Sequence, residues 1–402
     1  MASTVRPVLA AVIAAAVFPT AATAKSVRVT VGPANVDRAS QLITFPLTAG
    51  EPRADGVRDK NGAILPLQIA ADGTAAFIVP VQKAGETLTF TISEDGSATA
   101  AKGVVVSAAK DALKVTLGGK PVFDYQMNKD ALPRPDIKPA FKRAGYLHPI
   151  HTQSGTIVSD DYPVQHVHHH GIWSPWTKTT FQGRKPDFWN MGDKTGTVEF
   201  EEVTWTWSGA VHGGFVARHR FVDLSAPNPV TALHEVWQVT AYNVSDARVF
   251  DLVLTQVCAT NDPLGLPRYH YGGLGFRGRG EWYGKDKANF LTSEGETDRV
   301  KANAQTMRWV HLSGAVEGGT AGLAVLGHPD NFRAPQPVRV HPSEPYVSFT
   351  PSQGGDWKIQ PGKPYVARYR FVAADGPPDR ARLDALWNGF AIGTTVKVEN
   401  VP

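Results

Sequence analysis

A chain of 402 residues, 42% hydrophobic and 19% charged, has ordinary globular composition and enough length for a large core, which excludes disorder as its general state. Its 41 basic and 37 acidic residues leave a formal charge of +4, and no run of Lys or Arg forms the stripe a nucleic-acid partner needs. The 38 Gly and 30 Pro, with 10 Trp, 10 Tyr and 18 Phe, favour short strands joined by tight turns over a helical bundle.

The first segment has the marks of a secretory signal peptide. Arg6 is its positive end, Pro7 to Pro19 is apolar and rich in Ala and Val, and Ala22-Thr23-Ala24 is a small-residue cleavage pattern. Residues 1–24 are therefore expected to be removed near Ala24, leaving a mature chain in the periplasm or outside the cell. No later run holds eighteen uninterrupted apolar residues, so the mature chain is expected to have no membrane span. Cys258 is the single cysteine, which excludes an intrachain disulfide; within Asp251-Leu-Val-Leu-Thr-Gln-Val-Cys258 it reads as an inert thiol on a strand.

Residues 25–119 repeat one pattern. Short β-branched runs (Val27–Val31, Leu42–Phe45, Ala76–Val81, Leu88–Ile92, Val104–Val106) alternate with turn signals at Asp55-Gly56, Asn61-Gly62, Asp72-Gly73 and Asp95-Gly96. This predicts a small β-sandwich module. All 13 His and all 10 Trp follow Asp124, which places the chemistry in a second module, 120–402. There, Thr197–Glu201, Val203–Trp207, Phe215–His219, Leu233–Val239, Phe250–Thr255, Thr320–Leu326 and Tyr365–Phe371 alternate apolar and polar residues, predicting an antiparallel double sheet. One late helix is expected after Pro377-Pro378, with Asp379 at its start and Leu383, Leu386, Trp387 and Phe390 at helical spacing.

Ten of the 13 His lie between His148 and His270, four of them in His166-Val-His168-His169-His170-Gly171. In an extended strand, His166, His168 and His170 share one side, a set able to hold a divalent metal ion with an open position. The same residues also suit metal-free chemistry, with His168, His169 or His170 as proton donor or acceptor. Trp173, Trp176 and Trp189 nearby offer faces for sugar rings, and His148 and Asn190 offer hydrogen bonds to hydroxyls. Asp187 and Glu235 are the candidate second catalytic groups, Glu235 because it lies in an apolar strand, where alternation puts it on one face with Trp237 and opposite His234. His270 and Arg277 sit in a glycine-rich segment that matches G-x-G-x-x-G from Gly273 to Gly278. That match lacks a following helix, so no dinucleotide is expected. No H-E-x-x-H or G-x-S-x-G motif occurs.

Gly145-Tyr-Leu-His-Pro149, Ser154-Gly155, Asp160-Asp-Tyr-Pro163, His168-His-His-Gly-Ile-Trp173, Asp187-Phe-Trp189, Tyr271-Gly-Gly-Leu274 and Gly327-His-Pro-Asp-Asn-Phe-Arg333 together resemble an exported bacterial family of unknown function, over roughly residues 120–376. Its members were once labelled "methane oxygenase PmoA-like", a label that does not suit a chain without a membrane span. The family is similar in architecture to galactose-mutarotase-like supersandwiches. The resemblance therefore implies an all-β supersandwich and a carbohydrate ligand without fixing a reaction.

The reading that joins these observations is an exported carbohydrate-active enzyme that cleaves a glycosidic linkage of a small glycoside or oligosaccharide, by hydrolysis or elimination. His168, His169, His170, Glu235 and Asp187 are its catalytic candidates, His148, Trp173, Trp176, Trp189, His270 and Arg277 its sugar-binding candidates, and a divalent metal on His166, His168 and His170 its one candidate cofactor. A mutarotase or epimerase and a non-catalytic sugar-binding protein are the alternatives.

Overall fold

The computed structural model describes residues 26–47, 54–93 and 103–401; the expected signal peptide and the Asp95-Gly96 turn lie outside them. The alternating segments become two eight-stranded antiparallel sheets packed through one large core. In spatial order the first contains Val338–Val340, Tyr346–Phe349, Leu274–Arg277, Ile172–Trp173, Tyr146–Ile150, Lys120–Gln126, Ala112–Leu117 and Val104–Ala108. The second contains Gly196–Trp207, His212–Asp223, Val230–Tyr242, Arg248–Cys258, Tyr365–Asp375, Gly319–Gly327, Trp309–Val316 and Ala288–Thr292. The fold is thus an all-β antiparallel supersandwich. Val230–Tyr242 shows the rule that builds it: Leu233, Glu235, Trp237 and Val239 are buried while His234, Val236 and Gln238 are exposed. The two segments expected on either side of Glu202 form one strand, in which register shifts absorb the break in alternation.

A smaller sandwich stands beside the large one. Its five-stranded sheet runs Val396–Val401, Ser26–Val31, Leu88–Ile92, Gly56–Asp59 and Ile64–Pro66, and its three-stranded sheet runs Arg38–Pro46, Thr74–Gln82 and Gln68–Ile69. Val27, Val29, Ile43, Phe45, Phe77 and Phe90 fill it. Asn61-Gly62 and Asp72-Gly73 are turns, with Gly62 and Gly73 at φ 87° and 86°, a region glycine enters without penalty. Asp55-Gly56 is not a turn, because Gly56 already begins a strand. Residues 104–117 pair with the large sandwich, whereas the last strand returns to pair with Ser26–Val31.

The expected helix is Arg380–Ala391, opened by Asp379, whose side chain accepts from Arg382 N at 3.1 Å. Leu383, Leu386, Trp387 and Phe390 pack with Trp309, Ala324, Leu326 and Val372, on the outer face of the second large sheet. A one-turn α-helix, Arg299–Ala302, is capped by Asp298. No helix among the described residues is long and apolar enough to cross a membrane. The glycine-rich segment is the strand Leu274–Arg277, followed by a short turn at Gly280–Trp282. Gly275 serves packing: a Cβ there would meet the Trp173 ring at 3.0 Å.

Candidate active site

Alternation in the first large sheet also positions the site. Leu147, Ile172, Phe276 and Val347 point into the main core, so Tyr146, Trp173, Arg277 and Tyr346 take the opposite face. There Tyr146, Trp173 and Tyr346 join Ile137, Tyr162 and Trp189 in a separate small core, which the histidine-rich loop covers.

The histidine run is not a strand. His166 N donates to Pro163 O at 3.0 Å and His169 N donates to His166 O at 2.8 Å, so two tight turns replace the expected extension. Gly171 ends the loop against the sheet, where a Cβ would lie 2.2 Å from Leu147 O. The turns bring His166, His168 and His169 to one cleft and send His170 away from it. His170 is fully buried, its Nδ1 2.6 Å from Asp161 Oδ1 and its ring stacked on Tyr146 at 4.2 Å. The expected metal set His166, His168 and His170 is therefore not formed.

The cleft, about 310 Å³, is also lined by Trp189, Asn190, His270, Tyr271, Arg339, His341 and Tyr346. Behind it, Glu344 Oε1 lies 2.9 Å from His166 Nδ1 and Oε2 accepts from Arg277 Nη1. Burial pushes the Glu344 carboxyl up, but the hydrogen bonds from His166 and Arg277 outweigh it and hold the group at about 2. His341 Nδ1 accepts from Ser343 N and Glu344 N, at 3.3 and 3.1 Å, which leaves its proton on Nε2, 3.9 Å from Glu344 Oε1. Burial, helped by His166 and His170, pushes the His168 imidazole down to about 3; burial also pushes His341 down to about 4 and His169 well below its usual range. The cleft therefore presents His168, His169 and His341 as neutral imidazoles, backed by one ionised carboxylate.

Other candidates are held elsewhere. Asp187 Oδ1 accepts from Trp189 N and Asn190 N at 3.0 and 2.9 Å, and Oδ2 accepts from Thr177 Oγ1 and Asn190 Nδ2. Asp187 thus positions Asn190, whose Nδ2 reaches Tyr271 OH at 3.0 Å, and does not itself line the cleft. Glu235 lies inside the sandwich. Its Oε2 is 3.0 Å from His219 Nδ1 and its Oε1 accepts from Gln256 Nε2 at 2.7 Å; Tyr125 OH and Trp176 Nε1 close the chain at either end. Both carboxylate oxygens are engaged away from the cleft.

Of the three tryptophans expected as sugar-stacking walls, Trp189 lines the cleft. Trp173 is buried beneath His169 at 5.0 Å, and Trp176 packs on Trp357 and Tyr365 in the interior. Arg277 is fully buried and acts through Glu344. His148 is turned to Ser159 Oγ at 2.9 Å, and His270 is exposed on the rim, its ring tilted 43° against Tyr269. The sequence reading missed His341, Glu344, Arg339 and Tyr346. His341-Pro-Ser-Glu344 is a readable local signal, but its relation to His166 depends on the strand order of the first sheet.

An α-mannosidase from Enterococcus faecalis V583 aligns over 93% of this chain at 10% identity, with a TM-score of 0.42. The chain spans 46% of that mannosidase's length. No curated protein matches the chain. Residues 112–388, which include every cleft residue and both large sheets except the edge strand Val104–Ala108, match a family of unknown function, DUF6807, and the chain belongs to that family.

Proposed function

We propose that the chain is an exported carbohydrate-active enzyme that cleaves a glycosidic linkage in the histidine-lined cleft, and that it does so by elimination. The observation that carries this reading is the make-up of the cleft wall: imidazoles, Asn190, Tyr271 and Arg339 line it, and its carboxylate, Glu344, is tied behind His166. Hydrolysis by paired carboxylates needs two such groups about 5–10 Å apart across the bond. Asp187 and Glu235, the acids expected to supply such a pair, have both oxygens occupied.

Elimination requires a sugar whose C–H is acidified by a neighbouring carbonyl or carboxylate. His168 takes that proton; its electron pair becomes a carbon–carbon double bond as the bond from the next carbon to the glycosidic oxygen breaks. The departing oxygen takes a proton from Tyr271, whose hydroxyl burial pushes up to about 12 and so keeps protonated. Tyr271 regains it from the histidinium through solvent. Arg339, which bonds Asn303 Oδ1 at 3.1 Å, offers charge to a sugar carboxylate or enolate. Trp189 gives the ring an apolar wall.

The test is incubation with glycosides of uronic acids and of keto sugars, following ultraviolet absorbance of the conjugated product. Expected is an unsaturated sugar from wild type and none from His168→Ala. A saturated reducing sugar overturns elimination in favour of hydrolysis, interconversion of anomers favours a mutarotase, and unchanged sugar that binds favours a binding protein.

A further inference from the structure

We propose that His166, His169 and Glu344 form a site for one divalent transition-metal ion. One ring nitrogen from each histidine and one oxygen of Glu344 all lie within 4.8 Å of one another. Within this group His166 Nδ1 lies 2.9 Å from Glu344 Oε1. An ion bound at about 2.0–2.2 Å to nitrogen and oxygen spaces its donors roughly 3–3.5 Å apart, so from 4.8 Å the longest edge needs to close by about 1.3–1.8 Å. Two imidazoles and a carboxylate on one side of an ion, with the other side open, suit zinc, manganese, iron or cobalt and do not suit calcium.

The surroundings are those of a ligand set with its orienting partners. Arg277 holds Glu344 Oε2, so Oε1, the oxygen facing His166, is left as the single donor to an ion. His341 is an orienting neighbour and not a fourth ligand: its Nδ1 lone pair is used by two backbone N–H groups and its Nε2 carries the proton. His169 is clamped between Trp173 and Tyr346, at 5.0 and 4.8 Å, and its Nδ1 is buried without a hydrogen-bond partner. The His166 and His169 rings stack at 4.9 Å, 15° from parallel, so a shared ion requires one ring to turn about its Cβ–Cγ bond. His166, half-buried on the cleft wall, is the ring able to do so. The open side of the ion then faces the cleft, where it polarises a carbonyl or carboxylate of the sugar. That catalytic use rests on the elimination reading; binding of the ion does not.

The experiment uses untagged full-length protein loaded separately with zinc and with manganese, then freed of excess metal by gel filtration. Expected is close to one ion per chain by elemental analysis and a rise in Tm reversed by a chelator. His166→Ala and Glu344→Gln should lose most of the metal and the Tm response, while His168→Ala keeps both; circular dichroism checks that each variant is folded. Wild type that retains only traces of either metal overturns the site, as does a folded His166→Ala that retains a full equivalent. Metal bound without any sugar cleavage leaves this site standing and overturns elimination. Cleavage at full rate by metal-free protein leaves elimination standing and overturns the ion's catalytic use.

Discussion

His170 Nδ1 lies 2.6 Å from Asp161 Oδ1, and Tyr146 OH donates to the other oxygen of the same carboxylate at 2.9 Å. Burial pushes the Asp161 carboxyl from 3.8 up to about 6, against the opposing pull of His148 and Tyr146. A folded value above the unfolded one means that the folded state holds the proton more tightly. Stability from this group is therefore full below pH 3.8 and is lost as pH rises through about 6. The loss is on the order of 2–3 kcal/mol. Urea denaturation across this window should show a fall in wild type that Asp161→Asn lacks; equal slopes in the two proteins would remove Asp161 as the cause.

Arg277 and Glu344 form a buried pair, and removing one partner strands the other's charge. Arg277→Met is expected to cost about 3–5 kcal/mol, more than loss of packing alone. The double variant Arg277→Met with Glu344→Leu should recover part of that loss. Chemical denaturation of the single and double variants measures both.

The tryptophans separate by location. Trp189→Ala should weaken sugar binding about tenfold, the equivalent of roughly 1.4 kcal/mol of stacking and contact. Trp176→Phe leaves the cleft intact but strips Gln256 Oε1 of its donor, so it should cost about 1–3 kcal/mol of stability with sugar affinity unchanged. Calorimetric titration beside thermal melting distinguishes the two, and weaker sugar binding by Trp176→Phe would contradict the assignment.

Gly145 approaches His219 so closely that a Cβ would sit 2.7 Å from two ring atoms, and its φ is +79°. Gly145→Ala should therefore cost about 2 kcal/mol or more, from backbone conformation and displacement of the ring together. Near-neutral behaviour in a thermal melt would show that the ring moves aside freely.

The sequence made most of the sandwich legible because alternation is local: the strand Val230–Tyr242, with Glu235 and Trp237 inward and His234 outward, follows from a period of two. The late helix was legible for a similar reason, since Asp379 and the apolar spacing lie within its own turns. The site was legible as a region but not as an arrangement. Alternation assumes an extended chain, and the turns at Pro163 and His166 removed that assumption, exchanging His170 for His169 in the cleft. The pairing of His166 with Glu344 joins two loops that are distant in sequence and arises only from the order of the first sheet. Tryptophans could not be sorted because that sheet is covered on both faces, so Trp173 is as fully buried on the outer side as Trp176 is within.

The strand Val396–Val401 lies along Ser26–Val31, which places residues from both ends of the described chain in one hydrogen-bonded ladder. During synthesis the N-terminal partner waits with an open edge until everything between has been made. The small sandwich is therefore completed only after both large sheets have been made, although most of its strands precede them in the chain. A chain interrupted anywhere before residue 396 leaves Ser26–Val31 as an unprotected edge strand, a template for pairing with a second chain.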